Sequence, residues 1–124
     1  MSCTTFVPEI LVIDDDEVVH ILTSNIIESI NMKYSGAKCL NDARQALPNS
    51  SDLKLILCDM NLPDGDGLSF MMESKKSHPS ITFILMSAEQ IPDDKKKLYP
   101  ILPDIFLSKP FTTNELIEAI QRTI

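Results

Sequence analysis

Several residue types that mark particular classes of protein are scarce in this sequence. The 124 residues contain no Trp, three Gly and three Cys. An odd number of cysteines without a CxxC pair fits neither a disulfide framework nor a Cys-rich zinc site, and it points to a reducing compartment. No apolar run approaches the roughly 18 residues that span a bilayer. We therefore expect unpaired thiols, a cytoplasmic location and no membrane association.

Basic residues are also outnumbered, because 11 Lys and Arg stand against 18 Asp and Glu, which makes the formal net charge −7. A domain of this charge repels phosphate backbones and anionic lipids, so we expect no direct nucleic-acid binding. The composition is otherwise ordinary for a globular protein, with 44% hydrophobic and 23% charged residues. At this length we expect one domain over residues 1–124.

Short apolar runs alternate with amphipathic stretches along the chain. The apolar runs predict strands at residues 9–13, 32–40, 53–58, 81–86 and 105–107. The amphipathic stretches predict helices at residues 18–30, 41–47, 67–77 and 112–124. Strands that alternate with helices imply parallel pairing through right-handed crossovers. We therefore predict an α/β fold, a doubly wound, five-stranded parallel sheet with helices on both faces, of the flavodoxin-like type.

Individual side chains predict where the helices begin. Asp16 is the expected N-cap of the first helix, and Asn41 is the expected N-cap of the second. Thr112 and Glu115 have the spacing of a capping box at the start of the last helix. His20 lies on the first helix, where we expect a partly exposed histidine.

Glycine and proline predict two irregular segments. Gly65 and Gly67 lie within PDGDG at 63–67, and for both we predict a structural role in a turn with positive φ. Between the fourth and fifth predicted strands, Pro92 can open a helix and Pro100 must end or kink it. The fourth helix of the fold is therefore predicted to be short or irregular.

Polar residues follow the predicted strands at the points where the strands end. They are Asp14, Asp15 and Asp16 after the first strand, Asp59 after the third, Ser87 after the fourth and Lys109 after the fifth. In doubly wound folds these ends meet at one edge of the sheet, where ligands bind. Clustered carboxylates repel by about 4 kcal/mol per pair at 4 Å and an effective dielectric of 20, and Mg²⁺ removes that repulsion. With a lysine nearby, such a site suits phosphoryl transfer.

Four segments carry these residues in a recognisable order. They are LVIDDD at 11–16, LILCDMNLPDGDG at 55–67, ILMSAE at 84–89 and FLSKPF at 106–111. With them the sequence resembles the response-regulator receiver domains of two-component signalling. The resemblance implies that Asp59 accepts a phosphoryl group from the phosphohistidine of a histidine kinase or histidine phosphotransfer protein. It also implies a downstream protein target, and a domain that catalyses only its own phosphorylation and dephosphorylation and is otherwise no enzyme.

The resemblance implies a metal site and a control of the phosphoryl lifetime. Asp15, Asp59 and the backbone carbonyl of Asn61 would bind Mg²⁺ directly, and Asp14 would assist through water. Mn²⁺ is the alternative ion. Asn61 and Glu89 stand at the positions that tune dephosphorylation in this family, and we expect a transient phosphorylation.

The resemblance also implies a conformational switch. Ser87 and Lys109 would each bind a phosphoryl oxygen, and the peptide between Lys109 and Pro110 is expected to be cis. Phe106 stands at the switch aromatic position. It would turn inward when Ser87 moves toward the phosphate and so alter the face formed by the fourth helix, fifth strand and fifth helix of the fold.

Two alternative functions fit parts of the sequence. The run from Asp14 to Val18 matches the DxDxV motif of haloacid-dehalogenase-like aspartyl phosphatases, in which Asp14 would be the nucleophile and Asp16 the acid/base. That interpretation leaves Asp59 and its Pro/Gly turn unexplained. The second alternative is a degenerate receiver that acts only as a binding module, against which all the site positions carry competent residues. Both a stand-alone regulator and part of a longer protein are consistent with this sequence.

Overall fold

The computed structural model describes residues 9–47, 53–88 and 103–123. Its strands are β1 (Ile10–Ile13), β2 (Tyr34–Ala37), β3 (Leu55–Asp59), β4 (Asn61–Leu62), β5 (Gly65–Asp66), β6 (Thr82–Ser87) and β7 (Ile105–Ser108). Its helices are α1 (Glu17–Ser29), α2 (Leu40–Ala46), α3 (Gly67–Ser77) and α4 (Thr113–Thr123). The short or irregular helix predicted between Pro92 and Pro100 lies outside the described residues, as does Glu89.

Five strands form one parallel sheet in the order β2-β1-β3-β6-β7, and β4 and β5 form a separate two-residue antiparallel ladder. All residues of β1 and β3 are buried, which explains their uninterrupted apolar sequences, since helices cover both faces of such a sheet. The predicted doubly wound fold is confirmed.

The core lies in two layers, one on each face of the sheet. Leu11 and Ile13 of β1 pack in the layer that contains the buried side chains of α2 and α3. Ile10 and Val12 pack in the layer that contains those of α1 and α4. Successive strand residues point to opposite faces, so a single apolar strand supplies both layers. No helix within the described ranges has the length and apolar character needed to cross a bilayer.

Two of the three predicted helix starts are confirmed. The Asp16 side chain caps α1 by accepting a hydrogen bond from the Val18 N–H at 2.9 Å. At the start of α4, the Thr112 N–H donates to Glu115 Oε1 at 2.9 Å, and the Glu115 N–H donates to Thr112 Oγ1 at 3.1 Å. This reciprocal pair is the predicted capping box.

The predicted cap of α2 is wrong. This helix begins at Leu40, and Cys39 in the N-cap position makes no side-chain hydrogen bond to it. Instead, the Asp64 carboxylate accepts from the backbone N–H groups of Leu40 and Asn41, both at 2.9 Å. Asp64 lies between β4 and β5, so the cap of α2 comes from a distant part of the chain. Local sequence patterns do not detect such a cap.

The two glycines of the PDGDG segment have different roles. Gly65 has the predicted positive φ, at 154°, whereas Gly67 has no positive φ and begins α3. A side chain at Gly67 would overlap the backbone oxygen of Asp59. The prediction that Gly67 serves a turn with positive φ was therefore wrong. Glycine is required there because α3 approaches the end of β3 closely.

Candidate functional site

The carboxyl ends of the parallel strands place the predicted site residues at one edge of the sheet. Asp14 follows β1 directly, Asp59 ends β3 and Ser87 ends β6. Lys109 follows β7, and its N–H donates to the Ser87 carbonyl at 2.8 Å. Since β1, β3, β6 and β7 are consecutive neighbours in the sheet, residues that are far apart in sequence become adjacent here.

Three carboxylates meet at this edge. Asp14, Asp15 and Asp59 each offer an oxygen, and these oxygens all lie within 4.8 Å of one another. Asp14 is fully buried and Asp59 nearly so, whereas Asp15 is exposed. A set of carboxylate oxygens that is buried on one side and open on the other fits Mg²⁺, which prefers a few carboxylates and retains part of its water shell.

Lys109 supplies the positive charge of the site. Its Nζ lies 2.6 Å from Asp14 Oδ2 and 3.5 Å from Asp59 Oδ1. The Lys109–Pro110 peptide is cis, as predicted. One ammonium group therefore contacts two of the three clustered carboxylates, and among the described residues of the site negative charge is in excess.

The ionisation of Asp59 and Lys109 reflects this arrangement. Burial raises the pKa of Asp59; the nearby Lys109 lowers it and Asp14 raises it, and the pKa lies above its ordinary value. For Lys109, burial lowers the pKa, but the carboxylates of Asp14 and Asp59 outweigh that effect and raise it. Lys109 therefore stays charged, and a further cation would favour the ionised form of Asp59.

The remaining predicted site residues occupy the surroundings of the cluster. Asn61 begins β4, two residues after Asp59, and its side chain is exposed. Ser87 is buried at the end of β6. Phe106 pairs in register with Leu85, two positions before Ser87 along β6, and it is partly buried against the layer that contains α2 and α3. Phe106 thus lies outside the carboxylate cluster.

Sequence reasoning missed one residue beside the cluster. His20 is only 7% exposed, so the expectation of a partly exposed histidine was wrong. Its Nε2 lies 2.6 Å from the backbone oxygen of Asp14. The available signal was spacing, because His20, Thr23 and Ile27 are all buried residues of α1 and fall at i, i+3 and i+7 on one side of a helix.

The fold and site together define a doubly wound α/β domain with an edge of clustered carboxylates whose chemistry suits a divalent cation. A family model for the response regulator receiver domain matches residues 10–121. The chain therefore belongs to the response regulator receiver domain family of two-component signalling.

Curated relatives extend well beyond the matched region. The chain is 31% identical over 113 residues to the DNA-binding transcriptional regulator NtrC of Proteus hauseri, a match that covers 91% of this chain and 24% of the relative. It is 25% identical to the transcriptional regulatory protein PmrA of Pectobacterium parmentieri, covering 94% and 52%. The chain thus spans between a quarter and about half of the length of these relatives.

Solved structures match over nearly their whole length. A solution structure of the beryllofluoride-activated NtrC4 receiver domain dimer has a TM-score of 0.85 at 27% identity, covering 93% of this chain and 94% of that one. The signal receiver domain of an HD domain-containing protein from Pseudomonas fluorescens Pf-5 has a TM-score of 0.79 at 27% identity, covering 99% and 90%.

Proposed function

We propose that residues 1–124 form a phosphoacceptor receiver domain, in which Asp59 takes up a phosphoryl group in a reaction that depends on Mg²⁺. The observation that carries the proposal is the convergence of Asp14, Asp15 and Asp59 within 4.8 Å, with Lys109 Nζ at 2.6 Å from Asp14 and 3.5 Å from Asp59. Membership of the receiver family supports the same function.

The transfer is a displacement at phosphorus. An Asp59 carboxylate oxygen attacks the phosphorus of a phosphohistidine, the new P–O bond forms, and the P–N bond breaks. The imidazole leaves and takes up a proton. Mg²⁺, held directly by Asp15, Asp59 and the Asn61 carbonyl with Asp14 assisting through water, would neutralise the negative charge on carboxylate and phosphoryl oxygens. Mn²⁺ is the alternative ion.

The chain's own residues orient the phosphoryl group and transmit its arrival. Lys109 and Ser87 each hold one phosphoryl oxygen. Movement of Ser87 toward the phosphate allows Phe106 to turn further inward. This alters the face that β7 and α4 form with the helix predicted between Pro92 and Pro100, and a downstream protein binds that face. Asn61 and Glu89 tune the lifetime of the acyl phosphate. Apart from its own phosphorylation and dephosphorylation the domain catalyses no reaction.

An apolar surface beside the site supports a protein as the phosphoryl donor. Val18, Ile21 and Leu22 of α1 are 68%, 57% and 41% exposed. A groove of about 300 Å³ adjoins them, and it is lined by Val19, Leu22, Ala88, Lys109, Pro110 and Phe111. Because this apolar surface reaches the lysine of the site, it suits a histidine kinase or a histidine phosphotransfer protein that presents its phosphohistidine there.

The direct test is incubation of the chain with acetyl phosphate and Mg²⁺, followed by intact-mass spectrometry. We expect one phosphoryl group on the wild-type chain, none after chelation of the metal with EDTA, and none on Asp59→Asn. Asp42→Asn is the matched control, because Asp42 is an exposed carboxylate on α2, and it should be phosphorylated normally. Phosphorylation that persists in Asp59→Asn would contradict the proposal and favour the phosphatase interpretation with Asp14 as nucleophile.

A second experiment addresses the donor. Phosphorylated phosphotransfer domains from a panel of histidine kinases would be mixed with the wild-type chain and with Ile21→Ser. We expect Ile21→Ser to slow transfer from the protein donor about tenfold, a size typical of losing a well-packed apolar contact, and to leave labelling by acetyl phosphate unchanged. Equal slowing with both donors would show that Ile21 acts on the site itself.

A further inference from the structure

The β1–α1 turn that carries two of the clustered carboxylates is held by a buried histidine. His20, on the first turns of α1, is 7% exposed. Its Nε2 lies 2.6 Å from the backbone oxygen of Asp14, and its Nδ1 contacts the hydroxyl of Tyr34 on β2. The imidazole therefore links the end of β1 to the neighbouring strand.

The two hydrogen-bond partners of His20 determine which nitrogen of the neutral imidazole carries the hydrogen. A backbone carbonyl can only accept, so the Nε2 facing Asp14 must carry the hydrogen. In the neutral imidazole Nδ1 is then an acceptor, and the Tyr34 hydroxyl can donate to it. Tyr34 thereby selects the form of His20 that donates to Asp14.

The surrounding strand leaves room for this pair. Gly36 on β2 lies beside it, and a side chain there would overlap the Tyr34 hydroxyl and come within 2.9 Å of His20 Nδ1. The histidine, the tyrosine and the glycine are thus packed against one another, and both ring nitrogens of His20 have a partner.

The backbone carbonyl that accepts this hydrogen bond belongs to the peptide that joins Asp14 to Asp15. Both of these residues contribute to the carboxylate cluster. Rotation of this peptide would move the two carboxylates relative to Asp59. We infer that His20 is a positioning residue: it holds the Asp14–Asp15 peptide in the orientation that brings both carboxylates to the divalent cation, and so sets the affinity for that ion. The inference rests on the proposed function, because it takes the cluster to be a Mg²⁺ site.

Removal of groups that orient metal ligands commonly weakens metal affinity 10- to 100-fold. Three variants isolate the hydrogen bond. His20→Gln keeps an N–H at the reach of Nε2, His20→Asn carries the same amide one methylene shorter, and His20→Leu removes the donor. We expect Mg²⁺ affinity to fall about tenfold or more for Leu and Asn, and to stay within about threefold of wild type for Gln.

The measurement is isothermal titration of the full chain with Mg²⁺ alone, with thermal unfolding of each variant recorded in parallel. His78→Leu is the control, since His78 lies at the end of α3, and it should bind Mg²⁺ as the wild type does. A purely structural role for His20 would lower the unfolding temperature and leave affinity unchanged in every variant that folds. That result would overturn the inference.

Two further outcomes separate the inference from the proposed function. If His20→Leu does not fold, the contrast between His20→Gln and His20→Asn decides, and equal affinities of these two variants would overturn the inference. If the wild-type chain itself binds no Mg²⁺, the proposed function fails first. Normal binding by the wild type together with normal binding by all three variants refutes only the role of His20.

Discussion

The two loops that follow β1 and β3 at the edge of the site are held in place by different chemistry. The β1–α1 turn is anchored from inside the protein, where Asp14 is fully buried and bonded to Lys109 and His20. The loop that follows β3 is exposed, and Asp64 anchors it through backbone N–H groups of α2. A buried charge costs much free energy when it loses its partner, whereas an exposed charge is screened by water. The first loop should therefore be sensitive to charge changes and the second tolerant.

Lys109→Met tests the ion pair between Lys109 and Asp14 that anchors the β1–α1 turn, and it should have the largest effect on stability. It leaves Asp14 buried without its ammonium partner, so we expect the free energy of unfolding without metal to fall by about 3 kcal/mol. Urea denaturation measures this loss. The control is Lys38→Met, which breaks an ion pair with Glu17 whose side chains are 64% and 62% exposed, and which should change stability little.

The double variant Lys109→Met with Asp14→Asn sharpens this test. If the loss comes from an unpaired buried charge, removal of that charge should restore part of the stability. A double variant as unstable as Lys109→Met alone would show that the lysine stabilises the site through packing instead.

Gly67→Ala tests the close approach of the start of α3 to the end of β3, where a side chain at position 67 would overlap the backbone of Asp59. The added methyl group would overlap a backbone oxygen that cannot rotate away, so α3 or the end of β3 must shift. We expect a loss of about 2 kcal/mol in the free energy of unfolding. Lys76→Ala, at an exposed position of the same helix, is the control. A stability equal to wild type in Gly67→Ala would contradict the close contact.

Asp59→Asn should stabilise the metal-free protein by roughly 1 kcal/mol at neutral pH. Burial is the main cause that raises the pKa of Asp59, so ionised Asp59 destabilises the fold. Because the folded pKa lies above the unfolded one, the contribution of Asp59 to stability is present at low pH and is lost as the pH rises through the folded pKa. Urea denaturation at neutral and acidic pH should show the advantage of Asn only at neutral pH, and added Mg²⁺ should remove it. An advantage that persists in acid would rule out this origin.

Asp64→Asn tests the hydrogen bonds between Asp64 and α2 that anchor the loop after β3, and it should have the smallest effect on stability. Hydrogen bonds from the Leu40 and Asn41 N–H groups lower the pKa of Asp64 from its ordinary 3.8. Since the folded pKa is depressed, the stabilising contribution of Asp64 is present at neutral pH and is lost as the pH falls below that value. We expect faster hydrogen exchange at these two amides at neutral pH and little change elsewhere. Exchange equal to wild type would show that α2 does not depend on this cap.

The fold was predictable from the sequence because its signals are local. Apolar runs such as residues 9–13 and 53–58 are typical of strands buried on both faces, and the Thr112–Glu115 capping box is contained in four adjacent residues. Two predictions were wrong, the Asn41 cap of α2 and the reason why position 67 requires glycine, because both depend on contacts that are not local in the sequence. Their partners, Asp64 and the Asp59 backbone, approach only in the folded chain.

The site shows the same division. The order of strand and loop residues already predicted which carboxylates would share an edge, since parallel strands end together. Only the tertiary structure decided that Asp14 would be buried against Lys109 while Asp15 stays exposed, and that His20 would turn inward to the Asp14 carbonyl. Residue identity and spacing determine which groups can meet, but burial and distance, which set the strength of their interaction, exist only once the chain has packed.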